Sequence, residues 1–179
     1  TTATAPTLRL ALRFVMLTMV RKGEFVNATW DEVDFDNAIW TIPKERMKTG
    51  KPHVVYLSNQ ALDILVTFKT CFSASRFLHP GRYDMDTPIS NATLNRVVEV
   101  GIAAVRSRGD EFASFTVHDL RRTASSLLNE AGFNRDWIEK CLAHEEGSIR
   151  GVYNKAEDGE QRRVMLQAWA DVIDAWCKG

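Results

Sequence analysis

The sequence predicts a mainly α protein with one small three-stranded antiparallel sheet (α+β class), on the basis of two changes in hydrophobic period. From Leu8 the apolar residues follow a helical pattern, and they return to that pattern after Ser58. Between Thr29 and Ser58, β-branched and aromatic residues alternate instead with polar ones. We therefore expect one helix, then a small sheet, and then a series of helices.

The first predicted helix, Leu8 to Val20, is apolar on nearly every side, which is typical of a helix buried in a core. Arg9 and Arg13 interrupt this segment, which is also too short to span a bilayer. We expect a core helix and no membrane partner.

The predicted sheet consists of three short strands. A tight turn at Asp36-Asn37 is expected between the first two, and the second connection, Lys44 to Pro52, is longer, basic and contains Gly50. The strands are marked by Val33 and Phe35, by Ile39, Trp40 and Ile42, and by Val54, Val55 and Tyr56.

The helical pattern then continues to the end of the chain. Thr116 with Asp119 three residues later resembles a capping box, and Gly132 is the expected stop of the helix that this box begins. A short helix is expected to carry Tyr153. The other predicted helices run from Ser58 to about Phe72, from Leu94 to about Arg106, from Asn134 to about Leu142, and from about Gln161 to Trp176.

The overall charge balance is neutral, with 23 Lys and Arg against 23 Asp and Glu in 179 residues. A nucleic-acid-binding domain is often strongly basic, so a DNA surface on this chain has to come from local clustering. The three cysteines show no paired spacing, which indicates neither a disulfide framework nor a zinc ribbon and favours a reducing cytoplasm. Basic residues do cluster around the second connection of the sheet, namely Lys44, Arg46, Lys48 and Lys51.

Four short motifs carry residue types that are suited to phosphate chemistry. Taken one at a time they are weak, since a lone Arg or Lys is usually a solvated charge and a lone His or Tyr is usually structural. The motifs are Arg21-Lys22-Gly23-Glu24, Lys48-Thr49-Gly50, His118-Asp119-Leu120-Arg121-Arg122-Thr123, and Leu142-Ala143-His144 with Tyr153 nine residues later.

The order of these motifs resembles the signature of the tyrosine recombinase (phage integrase) family: Arg, a hairpin Lys, His-x-x-Arg, His and Tyr. The resemblance extends from about Leu8 to Met165, and the run that begins Tyr153-Asn154-Lys155 resembles the prophage and genomic-island branch. It implies the tyrosine recombinase catalytic-domain fold, with residues 1–179 as a single catalytic domain. The arm-binding and core-binding DNA domains of a longer integrase are then expected N-terminal to Thr1.

The resemblance implies that Tyr153 is the nucleophile, which attacks a DNA phosphodiester to form a 3′-phosphotyrosyl bond and release a 5′ hydroxyl. Arg21 and Arg121 would grip the non-bridging oxygens, a task that suits guanidinium groups because they stay charged and bind bidentately. His144 would donate a further hydrogen bond to the same phosphate.

The remaining roles follow in the same way. A phenol has a pKa near 10 and needs a proton acceptor, for which His118 is the better candidate. Lys48 would be the general acid for the leaving 5′ oxygen, and Glu24 would orient its neighbours. Further DNA-phosphate contacts are expected from Arg46, Lys51 and Arg122.

The function that the resemblance implies is site-specific DNA recombination, the integration or excision of a mobile element. Neither a metal nor a cofactor is expected, because bond energy is conserved in the covalent intermediate. The expected partners are double-stranded attachment-site DNA, three further copies of the protein in a homo-tetramer, and accessory DNA-bending proteins. The expected location is the cytoplasm of a bacterium, with nucleoid association when DNA is bound.

Two alternatives stay open. A type IB topoisomerase uses the same chemistry but reseals the same strand, and His144 and the integrase-like C-terminal run favour the recombinase over it. A DNA-binding module without catalysis is the other alternative, and the complete set of candidate residues argues against it. Two departures from the family pattern, Ala143 in place of a common Gly and Tyr56 in place of a common Pro, affect none of the named roles.

Overall fold

The computed structural model describes residues 4–144 and 158–178, and these form a mainly helical fold with one small sheet. The predicted fold class is confirmed. In chain order the elements are α1 (Pro6–Thr18), α2 (Lys22–Val26), β1 (Val33–Asp34), β2 (Ile39–Ile42), β3 (His53–Tyr56), α3 (Asn59–Cys71), α4 (Thr93–Arg106), α5 (Val117–Glu130), α6 (Arg135–Cys141) and α7 (Gly159–Lys178).

Helix α1 lies at the centre of the core and packs against α3, α4, α5 and α7. Its buried Phe14 contacts the ring of Phe25 at 5.5 Å and that of Trp40 at 5.7 Å between centroids. The prediction of a buried first helix is therefore confirmed. The helix ends at Thr18, two residues earlier than predicted, because Met19 adopts a left-handed conformation with φ 57°.

The sheet has the order β1-β2-β3 with antiparallel pairing throughout. Alternation along β2 buries Trp40 and Ile42 against the core and leaves Thr41 exposed. Phe35, predicted in the first strand, lies in the turn instead, because pairing stops at Asp34 opposite Ile39.

The later helices begin and end close to their predicted limits. The Thr116–Asp119 capping box is present, with a 2.9 Å bond from the Thr116 amide to the Asp119 carboxylate. After α5, Gly132 has φ 85° and the Phe133 amide donates to the Leu128 carbonyl, the pattern of a Schellman stop.

Helix α7 joins three parts of the fold. It is fastened to α1 by the bond from Trp169 Nε1 to the Met16 carbonyl (2.9 Å), and to β3 by the bond from Arg162 to the Val54 carbonyl (2.6 Å). Just before α7, Asp158 forms a 2.6 Å ion pair with Lys140 of α6. No helix in the described ranges is long and apolar enough to cross a membrane.

Candidate active site

Arg21 lies just after the left-handed end of α1, at the first residue before α2. The carboxylate of Glu24, which is 4% exposed, accepts hydrogen bonds from both the Arg21 amide and its Nη1, each at 2.8 Å. One buried acidic group thus caps the short helix and fixes the direction of the guanidinium. The sequence did not predict α2, because five residues are too few to show a helical period.

Arg121 of α5 is buried, with 5% of its surface exposed. Its Nη2 donates to the Leu142 carbonyl, whereas its Nη1 has no hydrogen-bond partner among the residues that the structure describes. Burial, and then the nearby positive charge of Arg21, lower the pKa of Arg121 to about 10. The side chain therefore stays cationic at neutral pH and presents an unused donor, for which an anion is the natural partner.

An open cleft of about 450 Å³ brings together three of the predicted site residues, Arg21, Lys48 and His144. Arg121 adjoins this group, since it holds the carbonyl of Leu142 two residues before His144. The rest of the cleft is lined by Thr49, Glu139 and Ala143.

Lys48 is exposed on the connection between β2 and β3, so its predicted position in a hairpin is confirmed. The neighbouring Met47 is buried, and the Gly50 amide donates to the Met47 carbonyl at 3.0 Å with Gly50 at φ 67°. The tip of the hairpin is therefore anchored on one side of Lys48 and turns sharply on the other.

Arg46, in the same connection, is engaged inside the protein. Its Nη1 donates to the Glu24 carbonyl at 2.6 Å and its Nη2 pairs with Glu32. Arg46 thereby braces the hairpin against α2, and its predicted contact with DNA stays a prediction. Lys51 and Arg122 are exposed, and their DNA contacts likewise stay predictions.

His118 is exposed on the first turn of α5, one turn before Arg121. It is not among the described residues that line the cleft. The structure therefore brings Arg21, Lys48, Arg121 and His144 together and leaves His118 at the edge of this group. The predicted nucleophile Tyr153, and the short helix expected to carry it, lie outside the described residues.

The sequence did not predict one residue that lines the cleft, Glu139, or one buried residue near Arg121, His53. His53, which begins β3, is 7% exposed, and its pKa is lowered to about 3 by burial first and then by the positive charges of Arg162, Arg121 and Arg21. Glu139 contacts His144 within the cleft. Neither residue has a sequence signal, because the burial of His53 depends on what packs over β3, and Glu139 meets His144 only through a reversal of the chain.

Comparison with known proteins identifies the family of the chain. Residues 1–160 match the model of the phage integrase family. The prophage integrase IntZ of Escherichia coli K12 is 38% identical over 174 residues, which cover 96% of this chain and 41% of the relative. The chain thus spans about two fifths of the length of the curated relatives that it matches.

Solved structures show the same fold. The lambda integrase catalytic core superposes with a TM-score of 0.58 at 20% identity, over 80% of this chain and 82% of that one. The Tn1549 transposon integrase, solved in complex with circular intermediate DNA, gives a TM-score of 0.64 at 13% identity, over 89% of this chain and 57% of that one. The predicted tyrosine recombinase catalytic-domain fold is confirmed, and the chain belongs to the phage integrase family.

Proposed function

We propose that this chain cleaves and rejoins DNA as the catalytic domain of a site-specific tyrosine recombinase. The observation that carries the proposal is the buried, unused Nη1 donor of Arg121 beside Arg21. Burial and the positive charge of Arg21 both disfavour the charge on Arg121, and a bound anion would offset both effects. A DNA phosphodiester is such an anion, and the attack on it adds further negative charge where the guanidinium groups already lie.

The remaining residues account for the proton transfers. Tyr153 attacks phosphorus, its phenolic proton passes to His118, and the bond to the 5′ oxygen breaks as Lys48 protonates that oxygen. The products are a 3′-phosphotyrosyl bond and a 5′ hydroxyl. Attack by the 5′ hydroxyl of another strand reverses these steps, so one phosphodiester is exchanged for another and no energy source is consumed.

Glu24 and Arg46 hold two of these residues, Arg21 and Lys48, in position. Glu24 fixes the Arg21 guanidinium, and Arg46 ties the hairpin of Lys48 to the backbone at Glu24. Lys51 and Arg122 are exposed, and we propose that they contact neighbouring phosphates. We propose that such contacts hold the duplex and that base-specific contacts come from other parts of the protein.

The proposed partner is double-stranded attachment-site DNA, and the DNA complex of the similar Tn1549 integrase supports this choice. Exchange between two duplexes needs four cleavages, so the working assembly is proposed to be a homo-tetramer on DNA, helped by DNA-bending proteins. The proposed setting is the bacterial cytoplasm, and the relatives in Escherichia coli K12 favour integration or excision of a prophage-like element.

The experiment that tests the proposal is covalent capture. The protein is incubated at low salt with nicked DNA that traps the cleaved product, stopped with detergent, and examined for a DNA-linked band beside a Tyr153→Phe variant. We expect an adduct that peptide mapping places at Tyr153 and that the variant lacks.

Two outcomes would replace the proposal. Absence of an adduct from the full-length protein on its own attachment DNA would favour the non-catalytic module. An adduct with relaxation of supercoiled DNA but no joining of a second strand would favour the type IB topoisomerase.

A further inference from the structure

A carboxylate lies in a cleft whose other charged groups are cationic or become so on protonation. Glu139, near the C-terminal end of α6, lines the cleft with Arg21, Lys48 and His144. A negative charge in this place opposes a bound phosphodiester, because like charges repel. The position of Glu139 therefore points to a task other than DNA binding.

Glu139 contacts His144 through both the side chain and the backbone. Its Oε2 lies 2.7 Å from His144 Nδ1, and its carbonyl accepts a 3.2 Å hydrogen bond from the His144 amide. Ala143 makes this return possible with φ 46°, a left-handed conformation that is unfavourable for a non-glycine residue. Helix α6 therefore ends in a reversal that brings His144 back beside Glu139.

We propose that Glu139 is a positioning residue for His144, holding the ring by Nδ1 so that Nε2 faces the scissile phosphate. The carboxylate can only accept a hydrogen bond, so Nδ1 must carry the proton of this contact. In the doubly protonated ring, Nε2–H is then a donor directed into the cleft. Carboxylates that orient a functional histidine in this way act on its tautomer and direction together.

This proposal rests on the proposed function and deepens it, since it assigns His144 a defined orientation. Arg121 adds a second restraint to the same loop through its bond to the Leu142 carbonyl. The carboxylate and the guanidinium thus fix the two ends of the segment from Leu142 to His144.

The first test observes the contact without DNA. In the protein with ¹⁵N-labelled histidines, we expect the Nδ1-bound proton of His144 to give a signal that is protected from solvent exchange. Glu139→Ala should abolish that protection, whereas Glu130→Ala, an exposed Glu at the end of α5, should leave it intact. A His144 ring that exchanges equally fast in wild type and Glu139→Ala would overturn the proposal.

The second test measures cleavage. We expect Glu139→Ala to slow adduct formation at saturating DNA about 10–100-fold, with DNA binding unchanged or tighter because a negative charge has been removed. Glu139→Gln keeps an acceptor oxygen and should restore most of the rate. In a His144→Ala background, Glu139→Ala should cost nothing further, because its effect passes through the missing ring.

Two results would contradict the positioning role. If Glu139→Ala slows cleavage equally with and without His144, Glu139 acts on another group. If Glu139→Ala weakens DNA binding as much as it slows cleavage, the role of Glu139 is purely structural. If the full-length wild-type protein forms no adduct on its attachment DNA, the proposed function fails, and the proton-exchange measurement alone decides whether Glu139 holds the ring.

Discussion

Arg121 carries a positive charge that is almost fully buried. One of its terminal nitrogens binds a carbonyl and the other is unused within the described part of the chain. An unsatisfied buried donor is destabilising, and a bound anion removes that cost. The free protein is therefore less stable than its anion complex by the free energy of that binding.

This leads to a prediction for simple anions. Phosphate or sulfate should raise the Tm of the wild-type protein, because it binds the folded state and not the unfolded one. Arg121→Met should lose most of this increase, while Arg96→Met, which removes an exposed Arg paired with Glu99, should keep it. Differential scanning calorimetry at matched ionic strength measures both, and an equal rise in the two variants would contradict the anion site.

Buried His53 makes the stability of the protein depend on pH. The pKa of His53 is about 3 in the folded protein and 6.5 for a fully solvated histidine. Between these two pH values the unfolded chain therefore binds a proton that the folded chain does not. The contribution of His53 to the free energy of unfolding is therefore fully present above pH 6.5, and it is lost as the pH decreases from 6.5 toward 3.

The measurement is the free energy of unfolding by urea between pH 6.5 and 4.5. His53→Gln should flatten its dependence on pH by up to one proton, or about 1.4 kcal/mol per pH unit. The comparison with wild type isolates His53, because His79, whose pKa burial also lowers, is present in both proteins. If the free energy of unfolding depends on pH equally in wild type and in His53→Gln, His53 is not buried in its neutral form.

The hairpin between β2 and β3 carries the proposed general acid, Lys48. Lys48→Ala should slow cleavage of ordinary DNA by on the order of 10²–10⁴. It should recover most of that loss on a substrate with sulfur at the bridging 5′ position, because a thiolate leaves without being protonated. The control is Lys51→Ala, in the same connection, which should slow the cleavage of both substrates equally. If Lys48→Ala also slows both substrates equally, Lys48 is not the general acid.

The elements themselves were largely predictable from the sequence, whereas the contacts between them were not. Period and capping residues located α5 and its stop at Gly132, because those signals lie within one segment. The pairing of Glu139 with His144 depends on the positive φ of Ala143, and the burial of His53 depends on what packs over β3. Such features arise only when distant segments meet. The family signature singled out Arg21, Lys48, Arg121 and His144, and its assignment of roles to them stays to be tested.

The chain has no net charge, yet it presents a local group of cations. If Arg21 and Arg121 together neutralise the scissile phosphate, and Lys51 and Arg122 each neutralise a neighbouring one, the affinity for duplex DNA should fall roughly 10–10²-fold between 50 and 200 mM salt. Fluorescence anisotropy measures this dependence. Lys51→Gln should reduce the slope of log affinity against log salt concentration by about one. An affinity that does not change with salt would exclude the proposed DNA-binding surface.

The bond from Trp169 Nε1 to the Met16 carbonyl joins residues that are 153 positions apart in the sequence. Trp169 is itself buried in the core, so α1 is not fully covered until α7 packs against it. Contacts between residues so far apart in the sequence slow folding, because closing a long loop costs conformational entropy before the contact stabilises the fold. Completion of the core therefore requires α7, the last of the described elements to be synthesised.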